Sequence, residues 1–216
     1  MCGIVGYIGK YDTTKILLDG LKELEYRGYD SAGIAVLNGN EIDVFKAVGK
    51  LVNLEEKVNQ NNKDRYNLGI GHTRWATHGK PTEVNAHPHL GEYSYVVHNG
   101  IIENYKELKD ELTSLGHNFV SQTDTEVIVH LFEHYNNKLN DAKKAFQETI
   151  KRLEGAYAIL LITKKDPEKI FFYKLGSPMI VGHGIEKDEV LFASSDSALI
   201  GLANDVVYLD DKIGGV

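Results

Sequence analysis

The amino-acid sequence predicts an α+β fold with antiparallel sheets. Strand-like runs occupy both ends of the chain, helical periodicities lie between them, and short turns join many neighbours. That order differs from the regular strand–helix alternation of a doubly wound sheet. The 216 residues contain no proline-rich or low-complexity linker and no internal repeat, so one domain over 1–216 is expected.

Residues 3–8 read as a short buried strand. Ile16, Leu17, Leu21 and Leu24 then recur at helical spacing behind a cap at Asp12 or Thr13. Residues 34–37 and 42–45 are β-rich runs joined through Asn38-Gly39, a strong hairpin signal. A short amphipathic piece over 51–58 leads into the polar loop 59–67. Strands follow at 68–73 and 93–98, separated by a long segment bearing histidine and proline. A connection of that length inside a compact domain is usually functional. The first of three helices covers 105–115, with Leu108, Leu112 and Leu115 on one stripe and Gly116 as its stop. The second starts at Thr123, where Thr123-Asp124-Thr125-Glu126 matches a capping box. The third spans 141–153 and ends at Gly155. The last third reads as strand at 156–163, 169–175, 179–182, 190–193 and 206–209.

Composition excludes several function classes. A net charge of −7, from 24 Lys and Arg against 31 Asp and Glu, argues against nucleic acid or an anionic membrane as the main partner. The single cysteine excludes an intramolecular disulfide and a cysteine-built zinc site. Lys10, Asp12 and Lys15 arrive too early for a signal peptide, and no run of about 18 apolar residues could span a bilayer. A cytoplasmic location, where a lone thiol stays reduced, is therefore expected. No Walker-type loop or dinucleotide fingerprint occurs, and no cofactor is expected. His130-Leu131-Phe132-Glu133-His134 matches an inverted zinc-protease pattern, yet it reads better as one flank of an amphipathic helix striped by Val127, Ile128, Leu131 and Tyr135. No metal ligand is expected. His87-Pro88-His89 suits a structural or hydrogen-bonding role better than a metal pair.

The position of the cysteine is more informative than its number. Cys2 lies directly behind Met1, and removal of the methionine would put a thiol and a free α-amine on one residue. An α-amine with a pKa of about 7.7–8.0 can take the thiol proton near neutral pH. Such a nucleophile can attack an amide carbonyl, form a thioester and be freed by water. Alternatively Cys2 is merely a small residue opening the first strand. Its company favours chemistry. Asn99-Gly100 offers an amide side chain and a flexible glycine N–H for an oxyanion hole, or else a tight turn. Arg74 can hold an α-carboxylate bidentately. Asp124 can hold an α-ammonium, or simply complement a helix dipole.

Together these residues resemble a known family. The segments Cys2-Gly3-Ile4-Val5-Gly6, 24–33 (Leu-Glu-Tyr-Arg-Gly-Tyr-Asp-Ser-Ala-Gly), 71–79, Asn85-Ala86-His87-Pro88-His89, His98-Asn99-Gly100 and Thr123-Asp124-Thr125-Glu126 are similar to the glutaminase domain of the glucosamine-6-phosphate synthase family. Those enzymes are class II glutamine amidotransferases with an N-terminal-nucleophile hydrolase fold. The resemblance implies a four-layer αββα sandwich with Cys2 at the end of a central strand. It implies Cys2 as nucleophile, its amine as base, and Asn99 with Gly100 as oxyanion hole. Arg74, Thr77 and His78 would hold the glutamine carboxylate, Gly100 and Asp124 its amino group. Trp75 would close over the substrate, and Arg27 would help position the cysteine end. The implied reaction releases L-glutamate and ammonia from L-glutamine. In a longer chain, C-terminal isomerase domains would use that ammonia to turn fructose 6-phosphate into glucosamine 6-phosphate, in a homodimer. Nothing here resembles a sugar-phosphate site, so the sequence is expected to be the glutaminase part alone. Other readings are a different class II enzyme, such as an amidophosphoribosyltransferase-like one, or a regulatory module that binds glutamine without turning it over.

Overall fold

A computed structural model of the protein describes residues 2–39, 41–61, 66–75, 80–186 and 188–216. In chain order its strands and helices begin with β1 (Gly3–Ile8), α1 (Thr13–Glu23), β2 (Ser31–Asn38), β3 (Glu41–Val48), α2 (Leu51–Asn61) and β4 (Leu68–Arg74). They continue with β5 (His89–Leu90), β6 (Ser94–Ile102), α3 (Tyr105–Ser114), α4 (Glu126–Leu139) and α5 (Ala142–Arg152). The chain closes with β7 (Gly155–Thr163), β8 (Phe171–Leu175), β9 (Ile180–Gly184), β10 (Val190–Ala193), β11 (Ala203–Tyr208) and β12 (Ile213–Gly215).

These strands form two antiparallel sheets. One has seven strands in the order β11-β9-β10-β1-β4-β2-β3, the other five in the order β12-β8-β7-β6-β5. Alternation along each strand sends side chains to two different cores. From β1, Val5 and Tyr7 face α1, where they meet Leu17 and Leu21, while Ile4 points into the space between the sheets. From the second sheet, Val97, Leu160 and Ile162 meet Ile4 across that space, and Val96, Ile159 and Leu161 pack beneath α3, α4 and α5. Each sheet is thus covered on both faces, which is why its central strands read as nearly continuous apolar runs. The result is the expected four-layer αββα sandwich. No helix among the described residues is long and apolar enough to cross a membrane.

Local signals place the element ends with some differences. Asp12 caps α1 by accepting the Lys15 amide at 3.2 Å. After α3, the His117 amide reaches Leu112 O and the Gly116 amide reaches Thr113 O, both at 3.0 Å. These two bonds make a Schellman end with Gly116 at φ 93°. The β2–β3 register pairs Asn38 with Glu41, so the strand runs through Asn38 and the turn begins at Gly39, one place later than expected. The short edge strands β5 and β12 carry too few residues to show a period and escape sequence reading. The capping box at Thr123 does not form. The helix starts at Glu126 with Thr125 as its cap and no side-chain cap bond. Tertiary partners claim the side chains instead: Thr123 goes to His89 at 3.0 Å, and Glu126 turns back to the amides of Val120 and Ser121.

Candidate active site

Strand parity brings Cys2, Arg74 and Asn99 to one end of the sandwich. On β4, Leu68 and Ile70 face the inter-sheet core, so His72 and Arg74 point the same way. On β6, Tyr95 and Val97 face it, and Asn99 follows two residues on. Cys2 precedes Ile4 by two residues at the head of β1. One cleft of about 40 Å³ is lined by Cys2, Arg74, Trp75, His87, His98, Gly100, Thr123, Asp124 and Thr125. Larger cavities lie elsewhere, including one of about 480 Å³ beside β3 and α2, away from the cysteine.

The Cys2 sulfur accepts the Trp75 amide at 3.3 Å. Burial pushes the thiol pKa up from its ordinary value, while the Trp75 hydrogen bond and the charges of Arg74 and Arg27 pull the other way. At neutral pH the sulfur is therefore a thiol that needs a base. Gly28 makes this contact possible. A Cβ there would sit 2.7 Å from the Arg74 carbonyl carbon and 2.8 Å from the Trp75 nitrogen, so only glycine lets this backbone approach the cysteine. Trp75 is 45% exposed and meets Tyr29 edge-on at 5.7 Å. Arg27 is buried and donates to Ser194 O at 3.0 Å, tying the turn after α1 to the end of β10.

Asn99 and Gly100 run along β6 opposite Ala158 and Tyr157, which disposes of the tight-turn alternative. The Asn99 amide nitrogen donates to the Cys2 carbonyl at 3.1 Å. Gly100 has φ 122°, and a Cβ there would fall 2.0 Å from the Ala156 oxygen, so the position requires glycine. Arg74 is 5% exposed and donates to Lys80 O at 3.5 Å. Asp124 accepts the Ile102 amide at 2.8 Å, so its carboxylate is tied to β6 rather than capping α4. Thr77 and His78 lie outside the described residues.

Buried histidines form a layer behind the cleft whose extent escaped sequence reading. Thr125 Oγ1 lies 3.0 Å from His98 Nδ1 and 3.1 Å from His87 Nε2, so hydroxyls on both sides of Asp124 are anchored to imidazoles. Burial pushes the pKa values of His72, His87, His89 and His98 down, that of His72 to about 3, so all four rings are neutral. His87-Pro88-His89 has the hydrogen-bonding role expected of it, across a cis His87–Pro88 peptide. The sequence flagged His87 and His89 as hydrogen-bonding residues, but nothing local showed that His72 on β4 and His98 on β6 would join them. At the other histidine motif, Glu133 accepts the amides of Glu92 and Tyr93 at 2.7 and 2.8 Å, and His130 donates to Glu126 at 3.4 Å. Among the described residues no group of three or more His, Cys, Asp or Glu is arranged to hold a metal.

The sequence profile of the glutamine amidotransferase domain family matches residues 72–201. The chain belongs to that family. This amidotransferase domain is 59% identical over 211 residues to glutamine–fructose-6-phosphate aminotransferase (isomerizing) of Campylobacter jejuni, covering 98% of the chain and 35% of the relative. It is 53% identical over 215 residues to the protein of the same name from Helicobacter pylori, covering 100% and 36%. The amidotransferase domain thus spans about a third of the length of these curated relatives. Among solved structures, glutamine phosphoribosylpyrophosphate amidotransferase from B. subtilis superposes with a TM-score of 0.79 at 28% identity, over 96% of the domain and 44% of that chain. The two-sheet sandwich is therefore the N-terminal-nucleophile fold of this enzyme family, and the protein is a glutamine amidotransferase domain.

Proposed function

We propose that Cys2, freed of Met1, hydrolyses L-glutamine to L-glutamate and ammonia through a γ-glutamyl thioester. The observation that supports this most is the cleft itself, where a thiol shares about 40 Å³ with a guanidinium and a carboxylate, Arg74 and Asp124. Those opposite charges suit the two charges of an amino acid, with the thiol left for the side-chain amide. The Cys2 sulfur bonds to the carbonyl carbon of the side-chain amide while its proton passes to the Cys2 α-amine. That proton then moves to the leaving nitrogen as the C–N bond breaks and ammonia departs. Water adds to the thioester, the C–S bond breaks, and glutamate leaves as the thiol is restored. Asn99 and the Gly100 N–H stabilise the oxyanion, a contribution typically worth a factor of about 10²–10³ per donor. Arg74, with Thr77 and His78, takes the α-carboxylate. Gly100 and Asp124 take the α-ammonium, Trp75 covers the substrate, and Arg27 places the cysteine end. No metal or cofactor enters this reaction.

Residues 1–216 act as one glutaminase domain in this reading. As part of a longer cytoplasmic, homodimeric protein its ammonia would serve fructose 6-phosphate at C-terminal isomerase domains. The 59% identity to an enzyme named for fructose 6-phosphate, against 28% to one named for phosphoribosylpyrophosphate, favours the former acceptor. Glutamate release from the processed chain, from Cys2→Ala and from a variant retaining a residue ahead of Cys2 tests the mechanism. Both variants should fall to background. Undiminished release from either would overturn it.

A further inference from the structure

His72 is fully buried, on the inter-sheet face of β4, where its neighbours Leu68 and Ile70 are apolar. A polar ring in such a layer needs a reason. Its Nε2 lies 3.2 Å from the His98 carbonyl oxygen and 3.1 Å from Asn99 Oδ1. Both partners are acceptors, so Nε2 carries the hydrogen and donates to them. Its Nδ1 finds no hydrogen-bond partner among the described residues. The ring packs on that of His87 with centroids 3.9 Å apart, and burial keeps it uncharged. With Oδ1 facing the imidazole, the Asn99 carboxamide turns its nitrogen to the Cys2 carbonyl at 3.1 Å. The reverse orientation would set two oxygens against each other at Cys2 and two N–H groups against each other at His72.

We propose that His72 is a positioning residue for glutamine hydrolysis, its Nε2–H locking the Asn99 carboxamide with the nitrogen toward the reacting cysteine. The inference rests on the reading of Asn99 as an oxyanion donor. His72 touches neither substrate nor sulfur, and acts through the orientation of one amide. Since a donor mattering only in the transition state affects turnover rather than substrate binding, its loss falls on kcat.

The amide of glutamine reaches the place of an imidazole Nε2, whereas that of asparagine reaches only the place of Nδ1. His72→Asn in the full chain should therefore lower kcat for glutamate release about 10–100-fold with KM for glutamine within about twofold, as partial loss of one oxyanion donor demands. His72→Gln should recover most of that loss. Asn99→Ala should lower kcat about 10²–10³-fold, and adding His72→Asn to it should change little further, because residues acting as one unit are not additive. Circular dichroism of each variant confirms that the fold is kept. Equal impairment of the Gln and Asn variants, or additive losses in the double variant, would overturn the proposal and leave His72 a packing residue. Impaired Asn99→Ala with unimpaired His72→Asn overturns the role of His72 alone. Unimpaired Asn99→Ala overturns the oxyanion reading, and this proposal with it.

Discussion

Asp124 has two attachments to account for. One carboxylate oxygen accepts the Ile102 amide at 2.8 Å, and the residue also lines the cleft beside Cys2. Asn at this position keeps an acceptor for Ile102 but gives up the charge proposed to hold the substrate ammonium. Asp124→Asn should raise KM for glutamine about 10–100-fold, the size of a charged hydrogen bond of about 1.5–3 kcal/mol, with kcat within a few-fold. Steady-state kinetics with both parameters unchanged would place the ammonium elsewhere. Gly28 and Gly100 show a different constraint, since each admits a backbone approach that a methyl group would block. Arg74 depends on Gly28 in turn, because the glycine lies against the Arg74–Trp75 peptide.

The start of α4 is built around Glu126. Its carboxylate is 1% exposed and accepts the Val120 amide at 2.8 Å, the Ser121 amide at 2.7 Å and the Ser121 hydroxyl at 2.6 Å. Burial opposes its ionisation, but His130, Ser121 and the two amides outweigh that cost and hold the pKa down to about 2. A carboxylate with a lowered folded pKa contributes stability above its ordinary 4.5 and loses it as pH falls toward 2. Glu126→Gln should therefore destabilise the protein by about 1–3 kcal/mol at pH 7 and flatten stability below pH 5, measured by chemical denaturation. A variant as stable as the parent at pH 7 would show that these bonds do not anchor the helix. The carboxylate also fixes 120–121 just ahead of Thr123, Asp124 and Thr125, which links the helix start to the cleft.

Four neutral histidines in the interior make the domain sensitive to acid. Burial lowers the folded pKa of His72, His87, His89 and His98 below the ordinary 6.5, so below that pH the unfolded chain takes up protons the folded one refuses. Their contribution is present above 6.5 and is lost on acidification. Each such group costs about 1.4 kcal/mol per pH unit once the unfolded chain is protonated. The urea midpoint should fall steeply between pH 7 and pH 5, and less steeply in His72→Gln. A midpoint constant over that range would mean the four rings are charged when folded. The same layer ties the second sheet and the turn before α4 to β4 of the first, so acid that breaks it should separate the two halves of the cleft.

What could be read from the residues in order was whatever depends on near neighbours or on chemical type. The α+β class came from strand runs at both ends, the end of α3 from Gly116, and the proposed nucleophile from a cysteine directly behind Met1. The candidate set Cys2, Arg74, Asn99, Gly100 and Asp124 could be nominated because each residue type matches one demand of an amide substrate, and the fold brings the five together around one cleft. Contacts between distant segments were not legible. Thr123 and Glu126 have the spacing of a capping box, yet His89 and the amides of Val120 and Ser121 claim them. His72 looked like part of a strand until β6 was placed opposite it, with Asn99 Oδ1 at 3.1 Å. A local pattern names what a side chain can donate or accept; only the packing of two sheets decides which partner it meets.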